Sequence, residues 1–204
     1  MLTENQINAN KNRFLELIRS ITLQGADKDK FLAWLNNSDF FVAPASSKYH
    51  CAYAGGLCQH SLNVYDALLK LVEDYGAIAG EDYDEDELKI IALLHDISKT
   101  NFYEQWFRNV KNEETGQWEK QAEYRLREDG NRFIYGSHEQ NSEFIARRFF
   151  PLTLRMSTAI LHHHAGMSWD SAKDDISAVY DRFPLATMLH LADMAATYIY
   201  ERNS

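Results

Sequence analysis

Apolar residues recur at steps of three and four along most of this 204-residue chain, and that period predicts helices. From about Glu4 to Leu23 an amphipathic helix places Phe14, Leu17, Ile18 and Ile21 on one face. A short second helix covers about Lys28 to Asn36. Pro44 to Gly56 reads as a loop, and Gly55-Gly56 marks the turn into a long helix from about Leu57 to Tyr75. There Leu57, His60, Val64, Leu68 and Leu71 share the apolar stripe, so His60 points inward. Ahead of the next helix, about Glu85 to Lys99, lies the acidic segment EDYDEDE. Asp84 and Glu87 have capping-box spacing, which assigns much of that charge to a helix N-terminus. Leu88, Ile91 and His95 fall on one side of the helix.

The pattern changes between Phe107 and Tyr135. Glu114-Thr115-Gly116 signals a turn, and the flanks FRNVKN and QWEKQAEYRL alternate as the strands of a small β-hairpin. Its charges balance, so it reads as a flap or specificity element rather than a strip that binds polyanions. Helices resume at Ser137, which forms a capping-box pair with Gln140. Others run from about Leu152 to His164, and from Pro184 to about Glu201. The expected fold is all-α, a helical bundle with one hairpin insertion around residues 107–135. It forms a single domain, 1–204, in which residues 1–45 are an N-terminal helical segment and residues 49–200 the core.

Composition narrows the function. Hydrophobic residues make up 45% and charged residues 25%, enough for a core. A net charge of −9 argues against nonspecific nucleic-acid binding through a basic surface. The N-terminal stretch lacks the cationic start and apolar region of a signal peptide, and no apolar run reaches membrane-spanning length. The expected compartment is therefore the cytoplasm, with no membrane partner. Cys51 and Cys58 match neither a metal-ligand pair nor a disulfide framework, and read as two reduced, half-buried thiols. The N-terminal amphipathic helix could pack on its own core or in a homodimer.

The chemistry centres on His95-Asp96, which closes the apolar run IIALLHDISK. Burying a histidine and an aspartate there without a partner is costly, and a metal ion takes both as ligands. Inward histidines and aspartates recur on separate helices: His60, then His138 in GSHEQNS, then His162-His163-His164, then Asp193 in HLADMAATY. Imidazole nitrogens with carboxylates suit a first-row divalent metal (Mn, Fe, Ni, Co or Zn) better than calcium. There is no GxSxG, no Walker-type glycine loop and no Cys-His motif to supply a competing nucleophile.

The order H…HD…D, with GGLCQHSLNV before it and LHLADMAATY after, resembles the HD-domain metal-dependent phosphohydrolases over about Tyr49 to Tyr200. The resemblance implies that His60, His95, Asp96 and Asp193 are the core ligands. It further implies that His138 and one histidine of the triplet add the second site of the two-metal branch. His163 is favoured, because Ile160 and His163 fit the family's spacing of a helix ending in histidine; His164 is next and His162 last. The site would hold one or two ions, Asp96 would bridge them where two bind, and Lys99 would face substrate phosphate. His190, one turn before Asp193, could support a ligand from behind. The family motif usually reads HDIGK or HDLGK, and Ser98 departs from it.

The implied activity is hydrolysis of a nucleotide or related phosphate ester by metal-activated water. The segment YHCAYAGGLCQHSLNVYDAL is similar to the HD part of bacterial 3′–5′ exoribonucleases. No OB-type strand-rich segment precedes it and the chain is acidic, so a mononucleotide is favoured over an oligonucleotide. Two alternatives stay open: an HD scaffold that binds a nucleotide or protein partner without turnover, and a di-iron HD oxygenase, which shares the six-ligand pattern.

Overall fold

The computed structural model describes residues 1–128, 136–164 and 175–202. Two helices open the chain, α1 (Glu4–Ser20) and α2 (Lys28–Asn36). They are followed by the long α3 (Gly56–Ala79) and by α4 (Glu85–Leu94). A 3₁₀ turn, Ile97–Lys99, leads into the strands β1 (Tyr103–Lys111) and β2 (Trp118–Leu126). After them come α5 (His138–Arg147), α6 (Leu154–Leu161), α7 (Ile176–Arg182) and α8 (Pro184–Ala195). The last helix continues as a π-helical turn, Ala196–Tyr200. The all-α expectation with one hairpin is met. The short α7 was not foreseen, and the part of the hairpin expectation that falls on residues 129–135 lies outside the described residues.

Helix α3 runs through the middle of the bundle, packed chiefly on α8 and α4 and more lightly on α1. Its inner face buries Leu57, His60, Val64 and Leu68, as the period required. The N-terminal helices share this core. Phe14 of α1 packs against Phe40 at 4.7 Å and edge-on to Phe41 at 5.9 Å. Phe31 of α2 meets Phe149 and Phe150 at 5.3 and 5.2 Å. Offset and edge-on aromatic pairs of this kind add about 0.5–1.5 kcal/mol each beyond their buried area.

Two helix ends differ from expectation. Asp84 does cap α4, accepting from the Asp86 N–H at 2.7 Å. Glu87, however, does not reach back to complete a capping box. Its carboxylate pairs with Arg155 at the start of α6 and accepts from Thr153 Oγ1 at 3.3 Å. A fork of guanidinium donors holds a buried carboxylate better than a single backbone N–H. Helix α4 also stops at Leu94 rather than Lys99, because Asp96 takes φ −112° and ψ 15°, outside the helical region.

The hairpin begins four residues earlier than its alternation suggested, with Tyr103 paired to Leu126 and Lys111 to Trp118. Asn112 Oδ1 accepts from the Glu114 and Thr115 N–H groups, and Gly116 takes the left-handed φ of 69° that closes the turn. Both strands are largely exposed, but their base is fixed: Arg127 N–H donates to Phe102 O at 3.0 Å. No helix among the described residues is long and apolar enough to cross a membrane. Among the described residues neither cysteine is in a disulfide; both thiols are fully buried rather than half-buried, and burial pushes the Cys58 thiol up to about 12.

The start of α3 depends on a close approach. A Cβ on Gly56 would lie 2.0 Å from the Cys51 carbonyl oxygen. Gly56→Ala therefore forces backbone apart one turn before His60. It is expected to cost about 3 kcal/mol in urea unfolding, and an unchanged midpoint would contradict this contact.

Asp86 joins α4 to the end of α1. It accepts from Thr22 N–H at 2.6 Å and from Thr22 Oγ1 at 2.9 Å. Burial alone would raise its pKa, but these bonds and Lys89 outweigh it and hold the carboxyl below its ordinary 3.8. The stabilisation is thus complete above 3.8 and is lost as pH falls through the lower folded value. Asp86→Ala should cost about 2 kcal/mol at pH 7. The gap to wild type should close in acid, and a gap independent of pH would refute the assignment.

Candidate metal centre

Five helices and the turn after α4 bring their polar residues to one buried point. His60 of α3, His95 at the end of α4, Asp96, His163 after α6 and Asp193 of α8 are each at most 3% exposed. The decisive residue is Asp96, whose two oxygens face two different sets of nitrogens. Its Oδ2 lies 3.6 Å from His60 Nε2 and 3.4 Å from His95 Nε2. Its Oδ1 lies 3.8 Å from His138 Nε2 and 3.7 Å from His163 Nε2. Asp193 completes the first set, with Oδ1 3.2 Å from His60 Nε2. All six residues expected from the sequence therefore converge, in two groups that share Asp96.

The ring orientations are fixed from behind. His95 Nδ1–H donates to Ala92 O at 2.8 Å, and His163 Nδ1–H donates to Ile160 O at 2.7 Å. Both carbonyls belong to the last turn of a helix, where no intrahelical partner remains. The histidines thus close their own helices and leave Nε2 as a lone pair aimed at Asp96. His60 Nδ1–H donates to Glu201 at 3.0 Å, and Glu201 Oε1 also accepts from Asn63 Nδ2 at 2.8 Å.

The fit to a cation rests on what these bonds leave over. His60 Nε2 and His95 Nε2 face each other at 3.3 Å although each ring already has a donor on its other nitrogen. Asp96 Oδ1 and His163 Nε2 are buried with no hydrogen-bond partner among the described residues. Facing lone pairs and an orphaned carboxylate oxygen are costly when dry and are what a divalent ion satisfies. In the protein alone, protons take up part of this role. Burial disfavours charge on His60, but Asp193 and Glu201 outweigh it and raise the imidazole to about 10. Burial likewise opposes ionisation of Asp96, and Lys99 and His95 overcome it to hold the carboxyl well below the ordinary range.

The other residues expected from the sequence divide. Lys99 is buried with Nζ on Asp96 Oδ2 at 2.6 Å, and so brings a cation to the edge of the cluster. His164 does enter: its Nε2 lies 3.0 Å from Asp193 Oδ2, and its Nδ1 meets His138 Nε2 at 2.7 Å. Burial would lower His164, but its bonds to Asp193 and Glu139 raise it to about 9. Burial carries His138 the other way, down to about 3. His190 does not face the cluster. Its Nδ1–H donates to His163 O at 2.6 Å, while Tyr180 Oη donates to His162 O at 3.2 Å, so both steady the triplet's backbone. Ser98 accepts from Ser142 and donates to His138 O at 2.8 Å, tying the HD turn to the first residue of α5.

Three residues at the centre were missed. Glu139, buried beside His138 and His164, is held down to about 2: burial opposes this, but the two imidazoles outweigh it. In sequence it is one acidic residue in a helix's first turn, where the dipole explains it equally well. Glu201 lies beyond the last periodic residue of α8. His50 packs on His60 with ring centroids 4.7 Å apart and ring planes tilted by 42°, from a loop with no period to read. Sets of these side chains whose ligand atoms lie within 4.8 Å of one another include His60-His95-Asp193, His95-Asp96-His163, His138-His163-His164 and His50-His60-Glu201.

The family model of the HD domain matches residues 57–195, well over half of the sequence. The chain belongs to the HD-domain family. Within it, a similar curated protein is the dihydroneopterin 2′,3′-cyclic phosphate phosphodiesterase of Methanocaldococcus jannaschii, 38% identical over 61 residues. The match takes in 30% of this HD-domain chain and 24% of that relative, so it spans about a quarter of the relative's length. No solved structure matches the chain.

Glu201 fixes the His60 ring, so Glu201→Ala should weaken binding of Mn²⁺ about tenfold or more, read by titration calorimetry. Glu201→Gln should recover most of the loss, since an amide oxygen still accepts from Nδ1–H. Equal affinity in all three proteins would show that Glu201 does not orient His60.

Proposed function

We propose that this protein is a metal-dependent phosphohydrolase, acting on a nucleotide or a related small phosphate ester. One observation carries the reading: a buried carboxylate, Asp96, turns each oxygen toward a separate group of imidazoles, with a lysine beside it. Membership of the HD-domain family and the partial likeness to a phosphodiesterase support it.

His60, His95, Asp96 and Asp193 would hold one divalent ion, and Asp96, His138 and His163 a second, with His164 at its edge. Bound there, such ions lower the pKa of water toward neutrality and offset charge developing on phosphorus. The protein's own groups do the rest. The hydrogen bonds to Ala92, Ile160 and Glu201 keep three imidazoles in the ligating tautomer, so no ring has to reorient during turnover. Lys99, whose Nζ lies on Asp96 Oδ2, would be placed to hold a phosphate oxygen beside the ions. Dry walls around the cluster strengthen every such contact.

Hydrolysis of nucleotides, cyclic nucleotides and simple phosphate esters, read as released phosphate for monoesters and as ring-opened monoester for cyclic nucleotides, with Mn²⁺, Fe²⁺, Ni²⁺, Co²⁺ or Zn²⁺ supplied in turn, tests the reading. Asp96→Asn should lower kcat/KM on the order of a thousandfold, or about 4 kcal/mol. A chelator should abolish turnover, and the divalent ion should restore it. Turnover that survives chelation, or a panel in which no ester is hydrolysed, would refute the proposal.

A further inference from the structure

Beside the cluster lies a cavity of about 560 Å³, with His164 and Asp193 in its floor and Tyr49, His50, Tyr198 and Arg202 among its wall residues. We infer that this cavity holds the part of the ester that leaves with its oxygen, and that Tyr49 and Tyr198 make it select a planar ring. The inference rests on the hydrolase reading, and it adds the residues that decide which ester is taken.

Depth comes first. Asp193 is both a wall of the cavity and 3.2 Å from His60 Nε2, so a molecule seated here touches the edge of the cluster. The volume falls within the ~300–1,000 Å³ of small-molecule sites and suits one nucleotide-sized ligand rather than a polymer track. Two large rings then stand uncovered at its walls. Tyr49 is 82% exposed and Tyr198 is 57% exposed. Rings left in water gain most by stacking on a flat, polarisable partner, and every nucleobase presents such a face.

His50 supplies a polar edge. Its Nε2 is shielded from solvent and has no hydrogen-bond partner among the described residues. A small turn of the His50 ring into the cavity would let a ligand with a donor or acceptor on its perimeter satisfy that nitrogen, which a plain alkyl group would leave stranded. Arg202 brings a positive charge to a cavity whose floor holds Asp193 and whose wall holds Glu201. In a chain of net charge −9, that cation and Lys99 give an anionic ester a local reason to enter.

A single backbone feature builds both parts. In the π-helical turn Ala196–Tyr200, Glu201 N–H bonds back to Ala196 O at 3.0 Å, and the wider turn rotates the chain. Glu201 swings inward to 4% exposure to hold His60, while Tyr198 is left at the cavity wall.

The test compares ligands that differ only in the ring. The four ribonucleoside 5′-monophosphates and ribose 5-phosphate share sugar and phosphate. With Mn²⁺-loaded protein, at least one nucleotide should have a KM about tenfold below that of ribose 5-phosphate. Tyr49→Ala and Tyr198→Ala should each raise that KM about fivefold, with ribose 5-phosphate kinetics unchanged. Both residues are exposed, so the variants should keep the wild-type melting temperature. Equal KM values for nucleotides and ribose 5-phosphate, or tyrosine variants that affect both alike, would overturn the inference. Calorimetric binding of the same ligands separates the two claims. Nucleotide binding that Tyr198→Ala weakens, without any hydrolysis, would keep the ring site and reject the hydrolase. No nucleotide binding tighter than ribose 5-phosphate would reject the ring site itself.

Discussion

A carboxylate buried to 1% exposure among imidazoles is the constraint on which the rest of this protein depends. Desolvating Asp96 costs several kcal/mol unless opposite charge surrounds it. Lys99 supplies one such charge directly, and the nitrogens of His60, His95, His138 and His163 take up the remaining directions. These groups come from α3, α5, α6 and the turn after α4, so the bundle must hold those elements in one register before the aspartate can be tolerated. Direct packing of α3 on α4 and α8, and of α5 on α6 and on the 3₁₀ turn, together with the close approach at Gly56, is where that register is fixed.

The same economy recurs at the helix ends. A helix terminates with carbonyls that lack partners, and a ligating histidine needs one ring nitrogen occupied. In α4 and again in α6 the structure meets both needs with one bond, from Nδ1–H to the carbonyl three residues earlier. Where the family motif usually has glycine, Ser98 adds a second such link. Its hydroxyl reaches the carbonyl of His138, so the turn that carries Asp96 and the helix that carries His138 cannot drift independently.

Much of this was legible in the sequence, and its gaps have physical causes. Periodicity alone turned His60 inward, and the apolar run before His95-Asp96 announced a buried pair. Capping signals located α5 and its Ser137–Gln140 box. The triplet was harder, because three adjacent histidines point in three directions and period cannot rank them. What separates them is the bond from His163 to Ile160 and the reach of His164 to Asp193, both tertiary facts. Glu87 misled for the opposite reason: its spacing matched a capping box, but Arg155, 68 residues away in sequence, offered a better partner. Glu139, Glu201 and His50 gave no local signal that distinguished them from surface residues.

Glu201 also shows why support and specificity are coupled here. An unbroken α-helix after Ala195 would have carried the chain on at 3.6 residues per turn. The π-helical turn inserts an extra residue instead, and this sets where both Glu201 and Tyr198 fall. A change that relaxed the turn would therefore withdraw the carboxylate behind His60 and move a wall of the neighbouring cavity together. Ligand geometry and the shape of the adjoining space are two readings of one backbone distortion, so neither can be altered there without the other.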